Sequence, residues 1–201
     1  MRKDSMVMDF TSSLRPAIVL TILFAILLGL AYPLAMTGVG QAIFPSQANG
    51  SLIRDGRGQI IGSTVIGQAF TSERYFQTRP SAASGGYDGL ASAGSNLGPA
   101  SMALANRVSK DIETKRREGM SGPAPADLVT ASGSGLDPDI SPASAMAQVQ
   151  RIARARGLKE GQLRELVGRA IQYPLLGFIG EDHVNVLALN QALDLMPGQK
   201  R

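Results

Sequence analysis

The pattern of apolar and charged positions is dominated by a long uncharged segment near the N-terminus. No charged residue lies between Arg15 and Arg54, and Pro16–Met36 holds 21 residues of almost purely aliphatic character. A helix rises about 1.5 Å per residue, so this segment spans roughly 30 Å, the thickness of the hydrocarbon core of a bilayer. The pattern predicts a transmembrane helix.

A cleavable signal peptide is the rival interpretation of the same segment, with a small-residue cleavage site at Gly29-Leu30-Ala31. The apolar run continues past that site to Met36. It is also longer than the apolar core of a signal peptide, which has about 7–15 residues. Both facts favour an uncleaved anchor, and under either interpretation the remainder of the chain is exported.

Basic residues flank the predicted span unevenly. Arg2, Lys3 and Arg15 precede it, whereas Arg54 is the one basic residue in the twenty positions that follow. Because Lys and Arg accumulate on the cytoplasmic side of single spans, we expect the N-terminus to be cytoplasmic. The predicted organisation is a cytoplasmic tail (1–15), a transmembrane helix (16–36), a connector (37–57) and an extracytoplasmic domain (58–201).

Helical and strand periodicities both occur in the exported part. Ile, Val and Gly in Gln59–Phe70 favour two short strands joined at a glycine, and the alternation in His183–Asn190 is typical of a further strand. Apolar residues recur at helical spacing in four segments, one of which has Ser141 as N-cap and Pro142 at its first position. Without a regular βαβ repeat the fold class is α+β. The predicted helices are Pro99–Glu118, Ser141–Gly157, a segment around Leu163–Ile171 that ends before Pro174, and Asn190–Met196.

The first of these helices has an apolar stripe at Leu104, Val108 and Ile112, and the third has one that begins at Leu163. In the second helix the sequence predicts a core-facing side and an exposed side. The predicted core residues are Ala145, Val149, Ile152 and Ala153, and the residues predicted to be exposed are Arg151, Arg154 and Arg156.

Two loops rich in Gly and Ser interrupt this pattern. Tyr75–Pro99 has no periodicity over 25 residues, which in a compact domain favours a functional loop or one that lies against a partner. Val129–Pro142, with the sequence VTASGSGLDPDISP, combines small hydroxyls, glycines and two aspartates. Such residues occur in phosphate cradles, nucleophile sites and calcium sites, and each of these sites requires its own residue spacing.

The second loop matches none of the corresponding motifs. A P-loop needs a lysine after its last glycine, and here the nearest basic residue after Gly135 is Arg151. An EF-hand that starts at Asp137 would need Gly and Glu where Pro142 and Gln148 stand. A serine nucleophile needs an oriented base, and the chain has one histidine, His183, and no G-x-S-x-G elbow, which leaves a Ser–Lys dyad as the open alternative. The simpler prediction is an Asx turn at Asp137 followed by the Ser141 helix cap.

Composition narrows the function classes further. The chain has no cysteine, which excludes disulfides and thiolate metal sites. After the predicted span the domain carries 17 basic and 14 acidic residues, a balance that does not favour nucleic acid as a partner. Neither a cofactor nor a metal site is predicted from the residues themselves.

Several segments together resemble the C subunit of the Kdp potassium-transporting P-type ATPase. They occur in the family's order over essentially the whole chain: the N-terminal span, VIGQAF, YFQTRPSAASGGYDGLASAGSNLGP, PADLVTASGSGLDPDISPASAMAQVQRIARARGL and LLGFIGEDHVNVLALNQALD. The resemblance implies a bacterial inner-membrane complex with a potassium-selective A subunit, an ATP-hydrolysing B subunit and a small F subunit. It implies a C subunit that is required for assembly and acts as a catalytic chaperone, raising the ATP affinity of the B subunit.

The ATP binding implied by the family conflicts with the predicted topology, because ATP is not available outside the cytoplasm. The favoured hypothesis is that the exported domain covers the potassium entrance while the span packs against partner helices. A membrane-anchored solute-binding module and an exported enzyme are the alternatives. The candidate partner-docking residues are Tyr87, Asp88, Asn96, Ser132, Ser134 and Asp137, and the candidate helix-packing residues are Ala25, Gly29 and Ala31.

Overall fold

The computed structural model describes residues 3–174 and 176–196. The chain divides into two compact units that meet between Ser51 and Leu52. The first unit is helical, with α1 at Lys3–Ile26, a π-helical turn at Leu27–Ala31, α2 at Tyr32–Ile43 and α3 at Pro45–Ala48.

The helical segment Ser12–Ile43 is long and apolar enough to cross a membrane. Its 32 residues include a window of mean hydropathy 2.5, of which no part is buried. At about 1.5 Å per residue the segment is roughly 48 Å long, so it extends beyond the roughly 30 Å of a bilayer core. The predicted apolar helix is therefore present and continues past both predicted ends.

The π-helical turn has a local cause in Pro33. Proline has no N–H to donate, and in a regular helix its ring clashes with the carbonyl four residues earlier, here that of Gly29. The backbone widens before this point, and the Tyr32 N–H donates to the carbonyl of Leu27, five residues back. Gly29 and Ala31 lie inside this wider turn, whereas Ala25 lies in α1.

The second unit has mixed α/β structure, as the sequence predicted. Two short antiparallel sheets lie among the helices: β1 (Leu52–Arg54) pairs with β2 (Ile60–Ser63), and β3 (Asp139–Ile140) pairs with β4 (Val184–Asn185). Its helices are α4 at Met102–Arg117, α5 at Pro142–Arg156, α6 at Glu160–Ala170 and α7 at Val186–Asp194, with a 3₁₀ turn at Ala126–Leu128.

The core of this unit lies between α5, α6 and α7. It is closed by the β3–β4 pair and by Phe76, a fully buried side chain from the first Gly/Ser-rich loop. The predicted core residues of α5, which are Ala145, Val149, Ile152 and Ala153, are all buried. The stripe of α4 behaves differently, since Leu104, Val108 and Ile112 are only half-buried.

The predicted ends of α5 are confirmed. The Ser141 side chain accepts a hydrogen bond from the Ser144 N–H at 3.1 Å, and Pro142 occupies the first helical position. Gly157 ends the helix in the left-handed conformation with φ of 67°. The neighbouring α6 stops at Ala170, so that Ile171 already has extended backbone geometry before Pro174.

Four other predictions are wrong in detail. The predicted strand His183–Asn190 is a strand only at Val184–Asn185, because Asn185 accepts the Ala188 N–H at 3.1 Å and caps α7 there. Gln59–Phe70 contributes a single strand, whose partner β1 lies within the predicted connector. The helix predicted from Pro99 begins at Met102. Arg151, predicted to be exposed, is 8% exposed because backbone carbonyls surround its guanidinium.

Candidate docking surface

The two Gly/Ser-rich loops, predicted as separate docking surfaces, bind each other. The Ser134 carbonyl accepts hydrogen bonds from the Ala93 N–H at 3.0 Å and from the Ser92 hydroxyl at 2.9 Å. The Ser81 hydroxyl donates to the Gly135 carbonyl at 2.6 Å. These contacts join residues about 40 to 54 positions apart and give the long first loop a fixed conformation.

Gly135 is required where the loops approach. Its φ is +68°, and a Cβ at this position would meet the Ala93 carbonyl oxygen at 2.6 Å and the Ala83 nitrogen at 2.7 Å. Both contacts are with backbone atoms, which cannot move aside as a flexible side chain does. By contrast, a Cβ at Gly133 would meet nothing within 4 Å.

Asp137 forms contacts within the domain. One carboxylate oxygen accepts the Asp139 N–H at 3.1 Å, which confirms the predicted Asx turn. The other oxygen lies 3.0 Å from Arg79 Nη1 in an ion pair whose side chains are 25% and 29% exposed. The second loop is thereby attached to the first through a charged pair that the sequence did not predict.

Tyr87 lies in the same contact region. Its hydroxyl donates to the Arg79 carbonyl at 2.7 Å, and its ring approaches Gly67, where a Cβ would meet Tyr87 Cε1 at 2.6 Å. Burial raises the pKa of the Tyr87 hydroxyl above its ordinary value, so the phenol stays a neutral donor at physiological pH. The backbone of Tyr87 has a positive φ of 56°, which is uncommon for a residue with a side chain.

The remaining candidates divide into internal and exposed groups. Ser132 is 8% exposed, and a carboxylate oxygen of Asp88 accepts the Leu90 N–H at 2.9 Å. Ser134 is exposed although its hydroxyl accepts the Leu136 N–H at 3.1 Å. Asn96 is exposed with a φ of 52°. The structure thus brings Tyr87 and Asp137 together and leaves Ser134 and Asn96 on the surface.

Three polar side chains that the sequence did not single out hold Glu73–Gln77. The side-chain amide of Gln148 binds both the N–H and the carbonyl of Gln77, at 2.8 and 3.0 Å. The side-chain amide of Asn190 binds the N–H and the carbonyl of Phe76 in the same way, at 2.8 and 2.9 Å. Arg151 donates to the carbonyl of Glu73 at 2.6 Å and to that of Tyr75 at 3.0 Å. We call Gln148, Arg151 and Asn190 the clamp residues. The sequence signal that could have identified the clamp residues is a polar residue at a position of a helix where the neighbouring turns place buried apolar residues.

An acidic cleft of about 570 Å³ lies beside the Asp137 turn. Five carboxylates line it, together with His183 and Arg79; they belong to Asp127, Asp137, Asp139, Glu181 and Asp182. Burial raises the pKa of the Asp139 carboxyl, an effect that the hydrogen bond from Asn185 at 2.9 Å opposes. Asp127 accepts hydrogen bonds from the Ser141 N–H and the Ser141 and Ser144 hydroxyls, so it acts as a cap of α5.

The cleft does not assemble a metal site among the described residues. Within residues 3–174 and 176–196 no group of three or more His, Cys, Asp or Glu side chains is placed to hold a metal ion. Three of the five carboxylates have internal partners: Asp127 caps α5, Asp137 pairs with Arg79 and Asp139 accepts the Asn185 amide. The cleft is therefore a negatively charged concave surface.

The candidate helix-packing residues lie in the first unit. Ala25, Gly29 and Ala31 are all exposed there, and a Cβ at Gly29 would meet nothing within 4 Å. The surface of the helix at Gly29 is therefore open to close approach by another helix.

Comparison with known proteins identifies the family of the chain. Residues 14–195 match the family described as K+-transporting ATPase, c chain, or KdpC. The chain belongs to the KdpC family. This membership confirms the resemblance to the C subunit of the Kdp potassium-transporting ATPase that the sequence motifs predicted.

Similar curated proteins carry the name potassium-transporting ATPase KdpC subunit. One from Caulobacter vibrioides (strain NA1000 / CB15N) is 58% identical over 183 residues, which cover 91% of this chain and 93% of the relative. One from Methylobacterium nodulans is 52% identical, over 92% of this chain and 98% of the relative. One from Rhodopseudomonas palustris (strain TIE-1) is 50% identical, over 90% and 95% respectively.

Proposed function

We propose that this chain is a non-catalytic accessory subunit of a high-affinity, ATP-driven potassium uptake complex, where it is needed for assembly and stabilisation. The observation that carries the proposal is the family match over residues 14–195. The apolar helix Ser12–Ile43 supports it, because a subunit of a membrane transporter requires an anchor in the bilayer. The partners proposed are the potassium-selective A subunit, the ATP-hydrolysing B subunit and the small F subunit.

We propose the topology that the flanking charges predict. Residues 1–15 form a cytoplasmic tail, 16–36 cross the inner membrane, 37–57 connect, and 58–201 form the extracytoplasmic domain. In right-side-out vesicles, external protease should remove the domain and leave an N-terminal tag protected. Protection of the domain in intact vesicles would overturn this orientation.

Within this topology the domain covers the potassium entrance and ATP hydrolysis belongs to another subunit. The catalytic-chaperone role implied by the family then acts through the membrane and its partners, without direct nucleotide contact by the domain. Equilibrium dialysis of the full chain in detergent with labelled ATP tests this. Saturable ATP binding by the isolated chain would contradict the proposal.

The central test is deletion and complementation in cells that depend on high-affinity potassium uptake. Loss of the chain should abolish growth at low potassium and lower the yield of the other subunits in detergent extracts, and re-expression should restore both. Normal transport and normal complex yield without the chain would refute the proposed function. Purification of the chain without companions, together with saturable binding of a small solute, would favour an anchored solute-binding module.

The exposed parts of the two Gly/Ser loops remain proposed docking residues. Ser134 and Asn96 are the best probes, since their side chains are exposed and their substitution disturbs few internal contacts. A bulky change such as Ser134→Trp, at a position without positive φ, should lower complex yield without altering the melting of the chain, provided this surface meets a partner. Unchanged yield after Ser134→Trp and Asn96→Trp together would exclude it.

A further inference from the structure

The loop between Gln172 and His183, which we call the apolar loop, carries four large apolar side chains on the surface. Tyr173 is 72% exposed, Leu176 74%, Phe178 75% and Ile179 54%. Single exposed apolar residues are normal in soluble domains, but four within seven positions form a patch.

The base of the apolar loop is fixed to the domain. The Gln172 N–H donates to the His183 carbonyl at 2.8 Å, and the His183 N–H donates back to the Gln172 carbonyl at 3.1 Å. Ile171 packs against the core on one side of this bridge, and Val184 is fully buried on the other. The exposed side chains therefore project from a rigid base.

Among the described residues, the four apolar side chains of the loop do not belong to the hydrophobic core or pack against it. Leu176 has a φ of 56°, an uncommon conformation for a residue with a side chain. A backbone hydrogen bond from the Gly177 N–H to the Pro174 carbonyl at 3.0 Å closes the turn. Such an arrangement gains apolar burial only when another surface covers it.

The charges next to the loop indicate the chemistry of that surface. Glu181 and Asp182 are exposed, and among the described residues their carboxylates form no ion pair. Both also line the acidic cleft, where the one Arg side chain is already paired with Asp137. Within the part of the chain that the structure describes, the apolar patch thus borders a surface with an excess of carboxylates, which is complementary to Lys or Arg.

A lipid surface and a second copy of this chain fit the patch less well. Segments that lie on anionic bilayers carry Lys and Arg, whereas residues 172–183 contain neither and include two carboxylates. A symmetric contact between two copies would bring the carboxylates of each copy near those of the other, which is unfavourable. The charge pattern therefore favours a different protein with a basic rim.

We propose that the apolar loop docks into a concave apolar surface, rimmed by Lys or Arg, on another subunit of the potassium-transporting ATPase. Phe178 and Leu176 are the anchors, and Glu181 and Asp182 pair with the basic rim. The inference rests on the proposed function, because it requires that the chain assemble with other subunits. It adds the surface that recognises them and the chemistry of the partner.

The test uses the full chain co-expressed with its partner subunits and isolated through an affinity tag in mild detergent. Leu176→Ser combined with Phe178→Ser should lower recovery of the other subunits about tenfold or more, as expected for the loss of two anchor residues. Met102→Ser is the matched control, since Met102 is 72% exposed on α4 and lies outside the loop. Melting of each chain, followed by circular dichroism, should remain unchanged.

Charge variants provide a second measurement that does not depend on the apolar substitutions. Glu181→Lys with Asp182→Lys should lower recovery strongly, whereas Glu181→Gln with Asp182→Asn should lower it less. A benzophenone side chain at position 178 should cross-link to another subunit. If the serine variant lowers the melting temperature, the charge variants and the cross-link determine whether the apolar loop contacts another subunit.

The outcomes separate this inference from the proposed function. Full recovery of the partner subunits with both the serine and the lysine variants overturns the docking role of the loop while the wild-type complex still supports the proposed function. Cross-linking only to phospholipid or to a second copy of the chain also overturns it. Failure of the wild-type chain to recover any partner refutes the proposed function itself.

Discussion

Replacing Asn190 with Leu should test how the long first loop is held in place. Asn190 is 2% exposed on α7, and its side-chain oxygen accepts the Phe76 N–H at 2.8 Å. Its side-chain nitrogen donates to the Phe76 carbonyl at 2.9 Å. The amide thus pairs with one residue as a neighbouring strand would, and this pairing positions the fully buried Phe76 ring in the core.

The magnitude of the destabilisation follows from the two backbone groups of Phe76 that Leu cannot bind. Leu has the same number of side-chain heavy atoms and the same branching at Cγ, so no cavity forms, but the N–H and the carbonyl of Phe76 both lose their partner in a buried site. An unsatisfied buried backbone group costs about 1–3 kcal/mol, so the free energy of unfolding should fall by about 2–6 kcal/mol. For a domain of this size the melting temperature should fall by about 10 °C.

Thermal unfolding of the full chain in detergent, followed by circular dichroism, measures this change. Gln191→Leu is the matched control, since Gln191 neighbours Asn190 on α7 and its side chain forms no hydrogen bond within the part of the chain that the structure describes. The control should stay within about 1 kcal/mol of the wild type. An Asn190→Leu chain as stable as the control would refute the clamp as a source of stability.

Three further predictions concern the contact between the two loops and the cleft beside it. Gly135→Ala should lower the free energy of unfolding by at least about 2 kcal/mol in urea titration, because of its positive φ and the backbone atoms around its Cα, whereas Gly133→Ala should have little effect. Asp137→Ala should destabilise by about 1–2 kcal/mol through loss of the Arg79 pair and the turn, and Asp137→Asn should destabilise less because it keeps the turn acceptor. The raised pKa of Asp139 means that the folded state binds this proton more tightly than the unfolded state, so stability should fall as pH rises from the unfolded pKa of about 3.8 through the folded pKa. Asp139→Asn should remove that part of the pH dependence in melting curves, and an unchanged pH profile would contradict it.

Local sequence signals predicted the elements whose causes are local. The cap at Ser141, the Pro142 that follows it and the left-handed Gly157 act within a few residues of their own positions, and all three are present. The apolar segment Pro16–Met36 needed only composition and length to be recognised. Membrane topology was predicted from the charges that flank this segment and stays a prediction.

Elements with distant causes were predicted poorly. Alternating Val184, Val186 and Ala188 favour a strand, but the Asn185 cap and the core contacts of Val186 and Leu189 make this segment helical after two residues. Arg151 was assigned to the surface because arginine is usually exposed, and nothing near it in sequence reveals the carbonyls of Glu73 and Tyr75 that satisfy it. Partners about 76 to 78 residues away leave no periodic signal.

The same limit applies to the candidate docking residues. Loops rich in Gly and Ser were interpreted as partner surfaces because they lack periodicity, and in the structure much of their polar backbone is satisfied across the contact between the two loops. Tyr87 and Asp137 therefore serve the domain itself, since both bind Arg79. Variants at these two positions would destabilise the domain itself, so a lower complex yield would not by itself identify a partner contact.

Because the Gly/Ser-rich loops bind each other within the domain, a different surface better explains assembly with other subunits. A docking residue should be exposed, should contribute little to the stability of the isolated domain, and should gain burial from a partner. Phe178 and Leu176 are about three-quarters exposed and lie outside the hydrophobic core of the described residues, and each offers a large apolar side chain for a partner to bury. Ser134 and Asn96 meet the first two but offer little apolar area to bury. The apolar loop is therefore the stronger candidate for the contact that would hold the proposed extracytoplasmic domain to the proposed partner subunits.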